Sequence, residues 1–390
     1  MAPVRADRAE PADWRAVLSG QVRANSSYRL RPIDSLSAGY RASLERFGVD
    51  SSTTFGVLTA TPRSGLAPKL VDAAAAELFA ELTRPGRPRR VPFDRLAWLV
   101  LEGVLEVEGP AGFVTGPAAY DVLASGRQGP STSNDRLGRL ARAALDYVER
   151  LRLTSAEAVT ARLYCYNRVP FSRRWACSYP GPDAVLALLP AGVLARHWVT
   201  VSSGGRSRWL SWAYSGSEGH EPTDGYPYKL YVSPRIEELP DVLPSLVGAL
   251  TAASAARFKL GADATGLLRP DKVVVYLRDG HEAAAVAATV GEALAGVSAQ
   301  GVPFSAALAG DGLVSWGGDP PRDAGPVGGR VESWRLSVCR RLAEGLVAAQ
   351  RTAPARTRPA DFALARLAVD GVDGRSFAPA GLACPELVAR

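Results

Sequence analysis

The chain is poor in the residues from which metal and redox sites are built. Four cysteines in 390 residues, Cys165, Cys177, Cys339 and Cys384, form no CxxC pair, and three histidines, His197, His220 and His281, show no metal-ligand spacing. Neither a structural zinc centre nor a disulfide framework is supported, and the thiols read as buried or incidental. No GxxxxGK[ST] loop occurs, and no GxGxxG follows a strand-like run, so the two common phosphate-cradling signatures are missing. No cofactor is expected. No uninterrupted apolar run of about 18 residues exists, which argues against a membrane span. The opening residues, MAPVRADRAEPADW, lack the basic-then-apolar pattern of a secretory signal, so the expected location is the cytoplasm.

What is present is a globular composition. Apolar residues make up 47% and charged residues 22%, enough for a sizeable core and two domains. The net charge of +7 invites an anionic partner: nucleic acid, phosphate or an acidic peptide. A chain rich in Ala, Arg, Gly and Pro also accompanies a high-GC genome, so charge alone does not choose among them.

Residues 11–24 and 36–47 carry helical spacing, and DAAAAELFAEL (72–82) is a strong helix by propensity. The breaker-rich RPGRPRRVP (84–92) reads as a basic loop, and LAWLVLEGVLEVEGPAGFVTG as a small hairpin turning at Gly109–Gly112. Asn134-Asp135 is a plausible cap for the helix RLGRLARAALDYVERL. Residues 1–150 are therefore expected to be mainly helical. The period then changes. HWVTVSSGGRSRWLSWAYSG reads as two strands about Gly204-Gly205, and YPYKLYVSP, KVVVYL and VPFSAAL as further strands. They interleave with helices over ELPDVLPSLVGALTAASAARF, HEAAAVAATVGEALAG and WRLSVCRRLAEGLVAAQ, so this half is α+β or α/β, and the chain as a whole is expected to be α+β. The domains are expected at 1–150 and 151–350, with a linker and C-terminal helix over 351–390.

The strand YPYKLYVSP places Lys229, Tyr231 and Ser233 on one face and Tyr228, Leu230 and Val232 on the other. A lysine must shed its proton to act as a base, and burial or neighbouring cations favour that. The bland alternative is a lysine on an exposed strand face. A second signal is RFKLGADATGLLRPDK (257–272), in which Arg257, Lys259, Arg269 and Lys272 flank a loop with two glycines. Arginine forks and lysine point charges there suit a phosphate. In the bland reading the loop is solvated, and Arg257 ends a helix where a cation favours the dipole. A third patch, RLYCYNRVPFSRRW, clusters Tyr164, Tyr166, Asn167, Arg168, Arg173, Arg174 and Trp175. It suits nucleobase stacking or, more blandly, a boundary helix with snorkelling arginines. AQGVPFSAAL and DGLVSWGGDPP, the latter carrying Trp316, either line a cleft or connect core elements.

PYKLYVSP, FKLG…GLLRPDK, QGVPFSAAL and DGLVSWGGDPP resemble, in this order, the Hop-A-type effector family, named for a type III secretion effector of plant pathogens. The resemblance covers roughly residues 160–350, with GLLRPDK and SWGGDPP the most specific blocks, and leaves residues 1–150 without a motif. Actinobacterial members occur in gene clusters for ribosomally made, modified peptides. The resemblance implies a phospholyase-like catalytic domain with a twisted, mostly antiparallel sheet. It implies similarity to phosphothreonine lyases that partner a separate, aminoglycoside-phosphotransferase-like kinase subunit. The kinase phosphorylates Ser or Thr of a precursor peptide, and the lyase eliminates the phosphate to leave dehydroalanine or dehydrobutyrine, as in class V lanthipeptides and thioamitide-like products.

That chemistry assigns Lys229 as the base and Arg257, Lys259, Arg269 and Lys272 as the phosphate clamp. Asp271 is read as orienting a neighbouring arginine. Tyr166, Asn167, Arg168 and Trp316 are candidates for substrate contact. For the general acid, His220 is nearest in sequence to Lys229; Tyr231 is an alternative, as is departure of a phosphate dianion with cation help alone. Two other readings stand beside the lyase: a non-catalytic partner that binds a leader peptide or activates the kinase, and, ranked last, a nucleic-acid-binding protein.

Overall fold

The computed structural model describes residues 21–46, 55–61, 68–88, 91, 93–109, 111–123, 132–201, 208–217, 226–319, 332–351 and 357–379. The chain divides into two compact units. One comprises 1–130, 321–332 and 341–370; the other 131–320, 333–340 and 371–390. The first division falls near 130, and the chain returns to the first unit late, whereas the sequence reading placed single breaks at 150 and 350. No helix among the described residues is long and apolar enough to cross a membrane.

The described residues of the first unit form six short strands: β1 (Val22–Ala24), β2 (Tyr28–Pro32), β3 (Gly56–Ala60), β4 (Lys69–Val71), β5 (Leu105–Gly109) and β6 (Gly112–Val114). They form two antiparallel sheets, β1-β5-β6 and β2-β3-β4, packed with helices that include Ala73–Glu81, Phe93–Leu101 and Pro359–Val369. Asp72 caps the first of these by accepting from the Ala75 amide at 2.8 Å. The β5–β6 hairpin turns where the glycines predicted, but the LAWLVL run ahead of it is helical. Residues 22–24, expected at the end of a helix, are a strand because the Val22 backbone pairs with Gly86 and with β5. Buried Glu102 is held by Lys69 and Arg366. Burial alone would raise its pKa, but the two cations outweigh that and take it down to about 2.

The described residues of the second unit are organised by seven strands: β7 (Trp198–Thr200), β8 (Trp209–Tyr214), β9 (Tyr228–Val232), β10 (Arg257–Gly261), β11 (Val273–Leu277), β12 (Ala306–Ala307) and β13 (Val314–Gly318). They lie in the order β12-β13-β9-β11-β10-β8-β7, and every pairing is antiparallel. The fold class is α+β, as expected. One face of the sheet carries Tyr228, Leu230, Val232, Phe258, Leu260, Val273, Val275 and Trp316 into a core with the helices Leu239–Ala252 and Gly280–Ala293. Asp135 caps the helix Arg136–Leu151, its carboxylate accepting from Gly138 at 2.7 Å.

Two sequence expectations are corrected here. Arg257 does not end a helix: the helix stops at Ala252, Ser254 turns with φ +50°, and Arg257 opens β10. VPFSAAL is a strand only at Ala306–Ala307, because Gly301 (φ +90°) and Phe304 (φ +65°) bend the chain before it.

The Gly-rich turn of 257–272 is thus a strand end, the one-turn helix Ala264–Leu267 and a second strand. Its two glycines face each other. A Cβ on Gly261 would sit 2.5 Å from the Gly266 carbonyl carbon, a backbone atom that cannot swing away. Gly261→Ala is therefore expected to destabilise the protein by about 1–3 kcal/mol, measured as a lowered midpoint in urea unfolding, whereas Gly291→Ala, on an open helix face, is expected not to.

Candidate functional site

The second face of the sheet is built by strand register. Directly opposed residues of antiparallel neighbours point to the same side. One row across the strands reads Gly317, Lys229, Tyr276, Arg257, Ala213; the next reads Ser315, Tyr231, Val274, Lys259, Ser211. Alternation, which sends Leu230 and Phe258 into the core, sends Lys229, Arg257 and Lys259 to this opposite side.

The rows gather the cations around aromatic rings. The Tyr276 ring centroid lies 5.1 Å from Lys229 Nζ, 5.2 Å from Lys259 Nζ and 5.8 Å from the Arg257 guanidinium carbon. Trp209 lies 4.4 Å from Lys259 Nζ and 5.1 Å from the Arg269 guanidinium carbon. Ring faces attract cations, so the aromatics separate charges that would otherwise meet directly.

Two carboxylates complete the face among the described residues. Asp319, just past β13, pairs with buried Lys229, and its other oxygen accepts from the Trp334 amide at 2.8 Å. Trp334 in turn lies over Gly317, where a Cβ would fall 2.2 Å from its ring. Asp271 accepts from Arg269 Nε and Nη2, each at 2.9 Å, and its Oδ2 is 2.8 Å from Nη1 of fully buried Arg335. Tyr164 stands between these arginines: its hydroxyl accepts from Arg269 at 2.7 Å, and its ring lies 4.8 Å from Arg335. Burial alone would raise the Asp271 pKa, but Arg335 and Arg269 hold the carboxyl well below the usual range.

Five cations, Lys229, Arg257, Lys259, Arg269 and Arg335, thus share a face with Asp271 and Asp319. The consequence falls on Lys259. It makes no hydrogen bond or ion pair among the described residues. Burial first, then the charges of Lys229 and Arg269, outweigh the attraction of the two carboxylates and push its pKa down to about 8. Tyr276 is pushed up to about 12 and Tyr231 well above 10, burial leading in both, so each remains a protonated phenol near neutrality.

The residues singled out from sequence are partly brought together. Lys229, Tyr231, Arg257, Lys259 and Arg269 share the site, and Asp271 orients Arg269 and Arg335. Lys272 is held away from it: its amine is wholly buried, donating to the Pro234 carbonyl at 2.8 Å and to the Gln300 side chain. Burial takes its pKa down to about 7. Trp316 is on the opposite face, stacked on Tyr228 in the core at 6.3 Å. Asn167 (φ +63°) donates to the carbonyls of Gln300 and Gly301 at 2.9 and 2.8 Å and so pins that loop. Tyr166 packs against Tyr147 with centroids 5.9 Å apart. Arg168 donates to the Thr265 carbonyl at 2.6 Å, near Arg269. His220 lies outside the described residues. Sequence reasoning missed Tyr276, Trp209 and Arg335. The first was readable, since the alternation of VVVYL places Tyr276 opposite the core-facing Val273 and Val275.

No family model matches the chain, and no curated protein matches it. Among solved structures it is similar to an effector protein from Pseudomonas syringae pv. tomato strain DC3000, with 12% identity, a TM-score of 0.38, and 62% of this chain and 96% of that one covered. An effector from Pseudomonas syringae pv. syringae strain 61 matches at 10% identity and TM-score 0.37, over 61% and 96% of the two chains. The type III effector and phosphothreonine lyase OspF from Shigella flexneri matches at 12% identity and TM-score 0.27, over 46% and 90%. At such identity and superposition none of them assigns a residue role here.

Asp271→Asn keeps the side-chain shape but leaves Arg335 buried without its counter-charge. The expected loss is about 3–5 kcal/mol of stability at neutral pH. Because the folded pKa of Asp271 is depressed, its contribution is fully present above about pH 4–5 and is lost as acid takes the pH down toward the folded value. Urea unfolding across pH is expected to show this acid limb in the wild type and a weakened one in Asp271→Asn.

Proposed function

We propose that this chain is a lyase that eliminates phosphate from phosphorylated Ser or Thr of a ribosomal precursor peptide. The observation that carries the reading is the placing of the Lys259 amine, 4.4 Å from the Trp209 ring centroid and 5.2 Å from that of Tyr276, beside Lys229 and Arg269 and unpaired among the described residues. Burial and those charges push its pKa down to about 8. β-Elimination needs a base for the Cα proton and fixed positive charge for the departing phosphate, and this face holds both side by side. The base assigned from sequence, Lys229, is ion-paired to Asp319. Lys259, which makes no such pair, takes the role instead, and Lys229 joins Arg257 and Arg269 as the clamp.

In the proposed reaction the neutral amine of Lys259, about a tenth of the population at pH 7, takes the Cα proton. The electrons of the C–H bond form the Cα–Cβ double bond. The Cβ–O bond breaks, and its electron pair leaves with the phosphate, which the guanidiniums and the Lys229 ammonium receive. Tyr231, a protonated phenol on the same face, is a hydrogen-bond donor available to the leaving oxygen. Arg335 and Asp271 act through Arg269, fixing its fork.

The peptide context rests on the sequence resemblance alone: dehydroalanine or dehydrobutyrine in class V lanthipeptide or thioamitide-like products, and a separate aminoglycoside-phosphotransferase-like kinase that supplies the phosphopeptide. A non-catalytic, leader-binding or kinase-activating partner would need no depressed lysine on a buried face, so the geometry favours the enzyme.

The test is incubation with a synthetic phosphothreonine peptide, alone and with the kinase, scored by mass spectrometry for loss of phosphoric acid. Lys259→Ala is expected to lower kcat by about 10²–10⁴-fold. In the wild type kcat/KM is expected to rise with pH along a limb centred near 8. Lys229→Met removes a charge that depresses Lys259, so its residual limb is expected at higher pH. Undiminished elimination in Lys259→Ala would remove that residue from the chemistry, and no elimination with the kinase present would favour the accessory reading.

A further inference from the structure

Beside the cation face lies a small pocket of about 50 Å³ lined by Arg168, Arg208, Trp209, Thr265, Gly266 and Arg269. Among the described residues it is lined by three guanidinium groups and no carboxylate. None of the three is fully occupied. Arg269 gives Nε and Nη2 to Asp271 and Tyr164, leaving Nη1. Arg168 gives Nη2 to the Thr265 carbonyl, and its other donors have no partner among the described residues. The Arg208 side chain has none there either, while its carbonyl is fixed by the Ala262 amide at 3.1 Å.

Arginines with unused donors lining one pocket are suited to an oxyanion: a guanidinium with its fork unused grips it through two parallel hydrogen bonds, and Arg269 can add a donor from Nη1. The size limits what enters. One water needs about 10–15 Å³ of such space, so the pocket has room for a group of a few heavy atoms. Its position limits where that group comes from. Trp209 lines the pocket and is shared with the cation face, its ring centroid 4.4 Å from Lys259 Nζ and 5.1 Å from the Arg269 guanidinium carbon. An extended peptide advances about 3.3 Å per residue, so a group here belongs one or two residues from the one that reacts at Lys259.

We propose that this pocket is a second anion subsite, which takes the carboxylate of an Asp or Glu side chain one or two residues from the phosphorylated residue of the same peptide. It rests on the phosphate-eliminating reading of the adjoining face. In this arrangement Arg269 serves both anions, its fork fixed by Asp271 while Nη1 makes no hydrogen bond among the described residues, and the carboxylate sets the direction in which the peptide lies.

The test uses the full chain and a set of phosphothreonine peptides in which a single Glu is walked from two residues before to two residues after the phosphorylated residue, each paired with its Gln counterpart. Elimination is scored by mass spectrometry. Binding is scored by fluorescence anisotropy on the same peptides carrying a phosphonate, whose carbon link to phosphorus cannot leave. At one position Glu is expected to bind about tenfold tighter than Gln, with a similar gain in kcat/KM. That advantage is expected to fall to near one in Arg208→Gln, an exposed side chain whose change leaves the core untouched. Elimination without a Glu preference at any position, or a preference that survives in the Arg168→Gln, Arg208→Gln double variant, would overturn the subsite and leave the lyase standing. A Glu preference in binding that Arg208→Gln abolishes, with no elimination from any peptide, would sustain the subsite and overturn the lyase.

Discussion

Burial of two lysine side chains, Lys229 and Lys259, on one face of an antiparallel sheet, together with the repulsion between them, sets the terms for the rest of this site. Neither side chain is well solvated, and the carboxylates within reach are already engaged, Asp319 by Lys229 and the Trp334 amide, Asp271 by two arginines. Desolvation and like charge both disfavour a further ammonium, and the cost falls on Lys259, the amine of this face that makes no hydrogen bond or ion pair among the described residues. A face that would be a poor stability device is suited to a proton acceptor that must work beside an anion.

The fold supports that arrangement at two points remote in sequence from the strand that carries Lys229. At one end, Gly261 and Gly266 let strand and helix close backbone to backbone, which fixes where Lys259 leaves β10 and where Arg269 emerges after the turn. At the other, the segment 333–340 brings Trp334 over Gly317 and Arg335 beneath Tyr164. Buried ion pairs contribute little net stability but cost much when one partner is removed. Asp271, Arg269 and Arg335 therefore act as a geometric constraint, holding a guanidinium fork in one orientation.

Part of this was legible in the sequence. Strict alternation in YPYKLYV separated Lys229 and Tyr231 from the core-facing Tyr228, Leu230 and Val232, and the structure keeps that separation. The capping Asp135 and the Gly109–Gly112 hairpin were also readable, because both are local devices. The strand character of RFKLG was not. Its Ala-rich approach has helical propensity, and only the left-handed turn at Ser254 ends the helix before it. Nor could one strand show that Lys272 would be sealed by Gln300, that Trp316 would face the core, or that Asp319 would pair with a lysine ninety residues earlier in the chain. Those depend on register between distant strands, which also decides that Lys259, rather than Lys229, is the amine left without a counter-charge.

The most direct measurement is a pH titration of the lysine side-chain carbon and nitrogen signals by NMR in the folded protein, with the Lys259 resonance identified by its loss in Lys259→Arg. A midpoint near 8 for that resonance, moving upward when Lys229 is replaced by Met, is the predicted result. A midpoint above about 10, the ordinary lysine range, would contradict the account, because no proton acceptor would then be present on the face that is proposed to hold the phosphorylated residue.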